Sequence, residues 1–191
     1  MKSILISIRP QWCEKIASGE KTIEVRKSAP KEVPFKAYIY ETKGATETPW
    51  VDEDGHYIYK GKGQVIGEFI CDKVYNLVNA FGGIMFADEN LNQLDPQLFR
   101  DMSCLTDEQT EDYLGNKDGY GLHIIDLKIY DKPKELSEFK NFCKSYYDGV
   151  GCEECKYFID GRGYEYDESD CGCNGLNPIT RPPTNYIYVE E

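Results

Sequence analysis

Apolar and polar residues alternate with a period of two along much of the first forty residues, which is typical of β-strands. The opening segment places Ile4, Ile6 and Ile8 on one face. After this segment, an apolar stripe of helical period begins at Pro10 and ends before Gly19, which predicts a short helix. The N-terminal pattern therefore predicts strands over residues 2–9, 21–26 and 33–40 and a helix over residues 10–18.

Turn and cap signals define further elements toward the C-terminus. Asp54-Gly55, between two short apolar and aromatic segments, predicts a β-hairpin. Thr106 and Gln109 match a capping box, which predicts the start of a helix that stops at Gly115. Residues 78–104 fit no single period. The remaining pattern predicts strands over residues 64–74, 120–130 and 186–189 and helices over residues 107–114 and 136–145.

These elements predict an α+β fold built on a small, mostly antiparallel β-barrel, because many short strands occur with few helices and no regular strand–helix alternation. The length of 191 residues and the apolar content of 40% suit one globular domain with a small appendage. We interpret residues 1–142 as the barrel, residues 143–180 as a cysteine-rich arm and residues 181–191 as the closing strand of the barrel.

Composition and charge exclude several classes of protein. No apolar stretch approaches the roughly 18 residues of a membrane helix, and the N-terminus has no basic segment followed by a long apolar core. We therefore expect a soluble, cytoplasmic chain without a membrane partner. The net charge of -12 argues against non-specific binding to DNA or another polyanion. Residues 1–40 nevertheless carry eight basic and four acidic side chains, so an anionic ligand is expected there if anywhere.

The segment from Gly19 to Arg26 combines an amine, a carboxylate and a guanidinium on one predicted strand. A period of two places Glu24 and Arg26 on the same face at a spacing of roughly 7 Å, and Lys21 reaches the same place from the start of the strand. Donors beside one carboxylate can bind a nucleobase edge, a carbonyl compound or a phosphate. The alternative is a solvated strand face with weak surface ion pairs.

The residues around this strand resemble the signature of the ASCH family, which belongs to the PUA-like superfold. The resemblance consists of Ser7-Ile8-Arg9-Pro10 and of Gly19-x-Lys21-x-x-Glu24-x-Arg26, and it extends to the segments 63–69, 120–130 and 181–183. The last two segments resemble the larger ASCH proteins that bacteria and their phages carry. The resemblance implies a PUA-like barrel with a cleft whose wall carries Lys21, Glu24 and Arg26.

The resemblance further implies that the chain binds RNA or a modified nucleoside. The ligand-binding residues are then Ser7, Arg9, Lys21, Glu24, Arg26 and His123. His123 also lies on an apolar strand face, which suits a core histidine equally. A protein-interaction module of phage or host origin, with an unknown protein partner, is a further alternative.

Some small bacterial ASCH proteins are amidohydrolases that remove the acetyl group of N4-acetylcytidine with a lysine, a threonine and a distant glutamate. By position the lysine corresponds to Lys21, whereas Glu24 occupies the threonine position. Without a hydroxyl there, a water activated by Lys21 or Glu24 is the alternative nucleophile, with Arg26 holding the oxyanion. The candidate catalytic residues are Lys21, Glu24 and Thr22, with Glu108 or Glu111 as the distant glutamate.

Five of the eight cysteines fall within a short stretch near the C-terminus. The spacing C-x2-C-x15-C-x-C, with one more cysteine upstream, predicts a structural zinc site, since two thiolate arms can enclose one ion. The predicted ligands are Cys143, Cys152, Cys155 and Cys171, with Cys173 as the alternative fourth ligand. The competing interpretation is a set of reduced thiols in an acidic loop. The other three cysteines, Cys13, Cys71 and Cys104, are predicted to be small buried hydrophobes.

Overall fold

A computed structural model describes residues 1–43, 50–51, 57–58, 61–80, 83–115, 117–142 and 176–190. The strands are β1 (Lys2–Ile8), β2 (Ile23–Arg26), β3 (Phe35–Glu41), β4 (Trp50–Val51), β5 (Tyr57–Ile58), β6 (Val65–Cys71), β7 (Val74–Ala80), β8 (Gly83–Ala87), β9 (Gly119–His123), β10 (Ile125–Lys134), β11 (Lys140–Phe142), β12 (Leu176–Pro178) and β13 (Tyr186–Val189). The helices are α1 (Pro10–Ala17), α2 (Pro96–Ser103) and α3 (Asp107–Leu114), and a 3-10 turn covers Leu136–Glu138.

Two larger sheets carry the fold. The five-stranded sheet has the order β10-β6-β3-β1-β13, and the four-stranded sheet has the order β2-β9-β7-β8. Within these sheets β1 and β3 run parallel, and the other described pairs are antiparallel. This arrangement confirms the predicted α+β class with mostly antiparallel strands. The β2 and β13 strands are edge strands of their respective sheets, a position that matters for the site described below.

The chain passes from one sheet to the other at two corners. The predicted strand 64–74 is two strands that break at Asp72 and Lys73, and the predicted strand 120–130 breaks at Ile124. The corners are hydrogen-bonded to each other, because the His123 N–H donates to the Lys73 carbonyl at 3.0 Å. Alternation of apolar and polar residues continues through both corners, so the period alone does not reveal them.

The main core lies between the two sheets. It contains Ile4, Ile6 and Ile8 from β1, and Leu122 from the second sheet. The opposite face of β1 is also covered, because Leu5 packs into a second cluster with Tyr38, Tyr40 and Phe139. A third cluster holds Ile23 and Val25 of β2 against α2 and α3 through Phe99 and Leu114. The two-residue alternation correctly predicted which residues of β1 share a face. The structure buries both of these faces.

The predicted helices agree with the structure in two cases and disagree in one. The α1 helix and the α3 helix are present, and Thr106 and Gln109 form the capping box in both directions. The predicted helix over residues 136–145 is wrong in its described part, because the 3-10 turn gives way to β11, which pairs with β12. Pairing with a segment distant in sequence outweighs the local helical pattern there.

The predicted hairpin and the scattered cysteines are confirmed for the most part. The β4 and β5 strands pair antiparallel with Trp50 opposite Ile58, while the turn residues Asp54 and Gly55 lie outside the described residues. Cys13 and Cys71 are buried, whereas Cys104 is only half-buried at the end of α2.

Among the described residues no helix is long and apolar enough to cross a bilayer.

Candidate functional site

Lys21, Glu24 and Arg26 form a buried chain of charges, which we call the Lys-Glu-Arg triad. Their exposed fractions are 2%, 4% and 7%. Lys21 Nζ lies 3.5 Å from Glu24 Oε2, and Arg26 Nη2 lies 3.1 Å from Glu24 Oε1. Glu24 and Arg26 on β2, and Lys21 just before it, therefore do not form the solvated face of the alternative interpretation.

The register of β2 explains why the triad points inward. The β2 strand pairs with β9 so that Glu24 is opposite Leu122 and Arg26 is opposite Tyr120. Directly opposite residues in an antiparallel pair project to the same face. Leu122 belongs to the core between the sheets, so Glu24 and Arg26 also face that interior. Ile23 and Val25 take the other face, which α2 and α3 cover.

Lys21 is held by groups from three parts of the chain. Its Nζ donates to the Ser103 carbonyl at 2.6 Å, at the C-terminal end of α2, and it lies 5.2 Å from the centre of the Trp12 ring. A helix C-terminus and an aromatic face both favour a cation. Burial lowers the pKa of Lys21 from its usual value, and the Glu24 carboxylate opposes that shift.

Arg26 joins β2 to β1. Its Nη2 donates to the Ser7 carbonyl as well as to Glu24. Ser7 Oγ in turn donates to the Pro183 carbonyl at 2.7 Å, which brings the segment before β13 beside the triad. The site therefore lies where the edge strand β2 approaches the β1–β13 end of the other sheet.

The hydrogen bonding of the triad is incomplete. Glu24 Oε2 and Arg26 Nε are buried and have no hydrogen-bond partner among the described residues. The 3.5 Å separation from Lys21 Nζ gives Glu24 Oε2 electrostatic compensation at the outer limit of a hydrogen bond. A buried charged group that lacks hydrogen bonds loses free energy relative to water. The triad thus combines ion pairing with incomplete hydrogen bonding in the interior.

The structure brings only some of the predicted ligand-binding residues together. Ser7 is half-buried and contacts Arg26 through its carbonyl. Arg9 is exposed just before α1. His123 is opposite Ile23 in the strand register, so it projects to the face away from Glu24. There its Nδ1 lies 2.7 Å from Asp72 Oδ1.

The other predicted catalytic residues stand apart from the triad. Thr22 is half-buried, and its backbone bonds to the Met102 carbonyl and to the Ile124 N–H. Glu108 and Glu111 are exposed on α3. The described partners of Lys21 Nζ are a carbonyl, a carboxylate and an indole ring, and none of these is a hydroxyl nucleophile.

Two components of the site were not predicted from the sequence. The Ser103 carbonyl is a backbone group 82 residues away from Lys21, and no side-chain pattern signals it. Trp12 belongs to the apolar stripe of α1, and its ring also faces the ammonium group of Lys21. The sequence signal for this contact was an aromatic residue on a predicted helix shortly before the lysine.

The predicted zinc ligands lie outside the described residues. Cys143, Cys152, Cys155, Cys171 and Cys173 all fall between residues 143 and 175. Within the described part of the chain, no group of three or more His, Cys, Asp or Glu side chains could hold a metal ion. The zinc site therefore stays a prediction.

Comparison with known proteins identifies the fold. No protein-family model matches the chain, and no curated protein matches it. A mutant form of ASCH from Zymomonas mobilis has a TM-score of 0.52 at 16% sequence identity, over 100% of this chain and 89% of that chain. Another crystal structure of ASCH from Zymomonas mobilis has a TM-score of 0.46 at 20% identity, over 71% and 74% of the two chains. The TM-score of 0.52 shows that the chain has the fold of that ASCH protein.

Proposed function

We propose that this ASCH-fold chain is an ASCH-domain protein that binds a nucleobase, in RNA or as a modified nucleoside, at the Lys-Glu-Arg triad. The observation that supports the proposal is a buried pair of atoms that lack a hydrogen bond, Glu24 Oε2, which is ion-paired with Lys21, and Arg26 Nε. One atom accepts and the other donates a hydrogen bond. A base edge offers complementary donors and acceptors on one rigid plane, which satisfies both atoms together.

The same atoms disfavour a bare phosphate as the primary ligand. A phosphate provides acceptors only, so it would satisfy Arg26 Nε but would face the Glu24 carboxylate with like charge. The net charge of -12 also gives no long-range attraction for a polyanion. We therefore expect recognition to depend on contacts between the site and a single unstacked base, and not on electrostatic attraction to a phosphate backbone.

Three half-buried aromatic side chains lie on the elements next to the triad. Trp12 faces Lys21, Tyr120 is opposite Arg26 in the strand register, and Tyr186 packs against the same core cluster. All three are half-buried, so they combine contact with the core and contact with solvent. Stacking on such rings contributes about 1–3 kcal/mol per base. They are the groups that a planar ligand would meet on its way to the triad.

Replacing Lys21 by methionine is the most direct test of this function. Methionine fills a similar volume without the charge, and we expect it to weaken nucleoside binding at least about tenfold, because Glu24 loses the cation that compensates its carboxylate. The measurement is equilibrium dialysis with a panel of nucleosides and short RNAs, together with ligand-induced thermal stabilisation. Lys27→Met is the matched control, because Lys27 is exposed just after β2.

If Lys21→Met and Lys27→Met bind the panel as tightly as the unchanged chain, the triad is not the binding site. Circular dichroism of each variant separates a loss of binding from a loss of folding. Binding of no nucleoside, with a co-purifying protein partner, would instead support the interaction-module alternative.

An amidohydrolase acting on an N4-acylated cytidine is the second candidate. It is favoured by the lowered pKa of Lys21, because a lower pKa increases the fraction of the amine that is free to take a proton from an attacking water. Glu24 is the alternative base and Arg26 Nε the donor toward the oxyanion. Including N4-acetylcytidine in the panel and measuring acetate release distinguishes turnover, lost in Lys21→Met, from binding alone.

We also propose that residues 143–180 form an arm with a structural zinc, that residues 1–142 form the barrel and that residues 181–191 close it. The C-x2-C-x15-C-x-C spacing supports the arm, as does the shortage of aliphatic residues there, since such a segment needs a crosslink to fold. The larger ASCH proteins of bacteria and phages are the ones that this arrangement resembles.

Zinc analysis of the purified chain tests the arm. We expect about one zinc per chain, bound by Cys143, Cys152, Cys155 and either Cys171 or Cys173. Replacing Cys152 and Cys155 together by serine should remove the metal, whereas Cys104→Ser should retain it. A zinc-free chain that is fully folded and resists proteolysis in the arm contradicts the proposal.

A further inference from the structure

The second sheet carries a cavity on the face that turns away from the main core. The cavity lies between β8, α2 and α3 and has a volume of about 360 Å³. This face also holds Ile23 and Val25 of β2, whereas the triad residues of β2 project from the other face of that strand. A volume of roughly 300–1,000 Å³ is typical of sites for small organic molecules. The cavity is therefore a candidate binding site that is separate from the triad.

The floor of the cavity is apolar and aromatic. Phe86 of β8 and Phe99 of α2 line it, and the centres of their rings are 5.2 Å apart. Ile84, which is half-buried, and Pro96, which is exposed, extend the apolar lining toward solvent. Apolar surface that remains in contact with water favours burial under an apolar group of a ligand.

The polar rim of the cavity contains one ion pair and one carboxylate without a partner. Arg100 Nη1 donates to both carboxylate oxygens of Asp107, at 3.1 and 3.0 Å, and Arg100 Nε and Nη2 donate to Gln97 Oε1. The charge of Arg100 is therefore matched by Asp107, and most of its donors are occupied. The Glu111 carboxylate, in contrast, has no hydrogen bond or ion pair to another residue in the part of the chain that the structure describes.

The position of Glu111 at the rim depends on a glycine. Gly83, the first residue of β8, has a φ of +123°, and a Cβ at this position would lie 3.2 Å from Glu111 Oε1. Because Gly83 has no side chain, the carboxylate can approach the backbone of β8. The α3 helix, which carries Glu111, has four acidic side chains and no basic one. The rim on this side therefore has a negative potential.

We propose that the cavity binds a small organic cation, a protonated amine with an aromatic or aliphatic body. The body lies against Phe86 and Phe99, and the ammonium group lies at the Glu111 carboxylate. Aromatic side chains beside a carboxylate are groups that recognise such cations. An anion is disfavoured, because the guanidinium of Arg100 is already paired with Asp107 and the free carboxylate would repel it.

An NMR titration of the full chain with three probes of similar size tests the proposal. The probes are phenethylamine, which is protonated at neutral pH, 2-phenylethanol, which is neutral, and 3-phenylpropanoate, which is an anion. We expect the amine to bind at least about threefold more tightly than the alcohol, because it adds an ion pair to the contacts of the shared ring. The anion should bind more weakly than both. The advantage of the amine should decrease as salt is added, and the chemical-shift changes should centre on Ile84 and Phe99.

A charge-neutral substitution tests the role of the carboxylate. Glu111→Gln retains the shape of the side chain, and we expect it to weaken binding of phenethylamine at least about threefold while binding of 2-phenylethanol stays the same. Asp112→Asn is the matched control, because it removes the same charge from an exposed position on α3 that is outside the lining of the cavity. Ile84→Trp adds volume to the lining and should abolish binding of both probes.

Three results would overturn the proposal. They are equal affinities for the three probes, an effect of Asp112→Asn as large as that of Glu111→Gln, and the absence of shifts at the cavity with every probe. Melting temperatures show whether each variant is folded. If Ile84→Trp does not fold, Glu111→Gln still decides, since Glu111 is exposed. Binding of these probes does not involve the triad, so a negative result leaves the proposed function unchanged.

Discussion

Replacing Glu24 by glutamine is expected to lower the free energy of unfolding by about 3–5 kcal/mol, because it leaves two buried cations without their shared anion. Glu24 contacts Lys21 Nζ through one oxygen and Arg26 Nη2 through the other, and all three side chains are at most 9% exposed. Glutamine retains the shape and one acceptor but removes the charge. Urea unfolding monitored by circular dichroism measures the loss.

A double variant shows whether uncompensated charge is the cause. Combining Glu24→Gln with Lys21→Met removes one of the two stranded cations, and we expect the double variant to recover a large part of the stability lost in Glu24→Gln. Glu14→Gln is the control, since Glu14 is exposed on α1 and should change stability by less than about 0.5 kcal/mol. An equally small effect of Glu24→Gln would mean that water reaches the triad and screens it.

Raising the pH from 9 to 11 is expected to destabilise the chain strongly through two buried thiols. Burial raises the pKa of Cys71 from 9.0 to about 12, and burial also raises the pKa of Cys13. The unfolded chain releases these protons above pH 9 while the folded chain retains them, so stability falls as the pH rises. For Cys71 the loss is about 1.4 kcal/mol for each pH unit between 9 and 12, or roughly 3 kcal/mol by pH 11.

The contribution of one thiol is isolated by comparison with Cys71→Ala. This variant has a small packing defect at neutral pH, but it should lose roughly 3 kcal/mol less than the unchanged chain between pH 9 and pH 11. The comparison is needed because Lys21 acts in the opposite direction: its lowered pKa makes stability rise with pH up to its usual value of 10.5. Parallel pH profiles for the two chains would contradict a protonated, buried Cys71.

The triad connects these stability effects with the proposed binding. A chain selected for stability alone could replace a buried ion-pair group by apolar residues at little cost in stability. Here a lysine, a glutamate and an arginine are retained in the interior with two atoms unsatisfied. A ligand that satisfies those atoms should stabilise the folded state by more than its surface contacts alone would provide, and this should appear as a rise in melting temperature.

Much of the barrel could be predicted because its signals are local. The alternation of Ile4, Ile6 and Ile8, the proline start of α1 and the capping box of α3 each depend on residues a few positions apart. The corners at Lys73 and Ile124 could not be predicted. Both sides of each corner alternate as strands do, and only the hydrogen bonds between the corners fix where the chain changes sheets.

The sequence by itself determined that Glu24 and Arg26 share one side of a short strand and that Lys21 precedes it, because side-chain direction along a strand depends only on the two-residue period. Tertiary structure alone decided that this side faces the interior, because that depends on the register of β2 against Leu122 and Tyr120 of β9. It also decided the remaining partners, the Ser103 carbonyl for Lys21 and the Ser7 carbonyl for Arg26. Backbone groups and residues so distant in sequence leave no periodic signal, since their proximity exists only after the sheets and helices have packed.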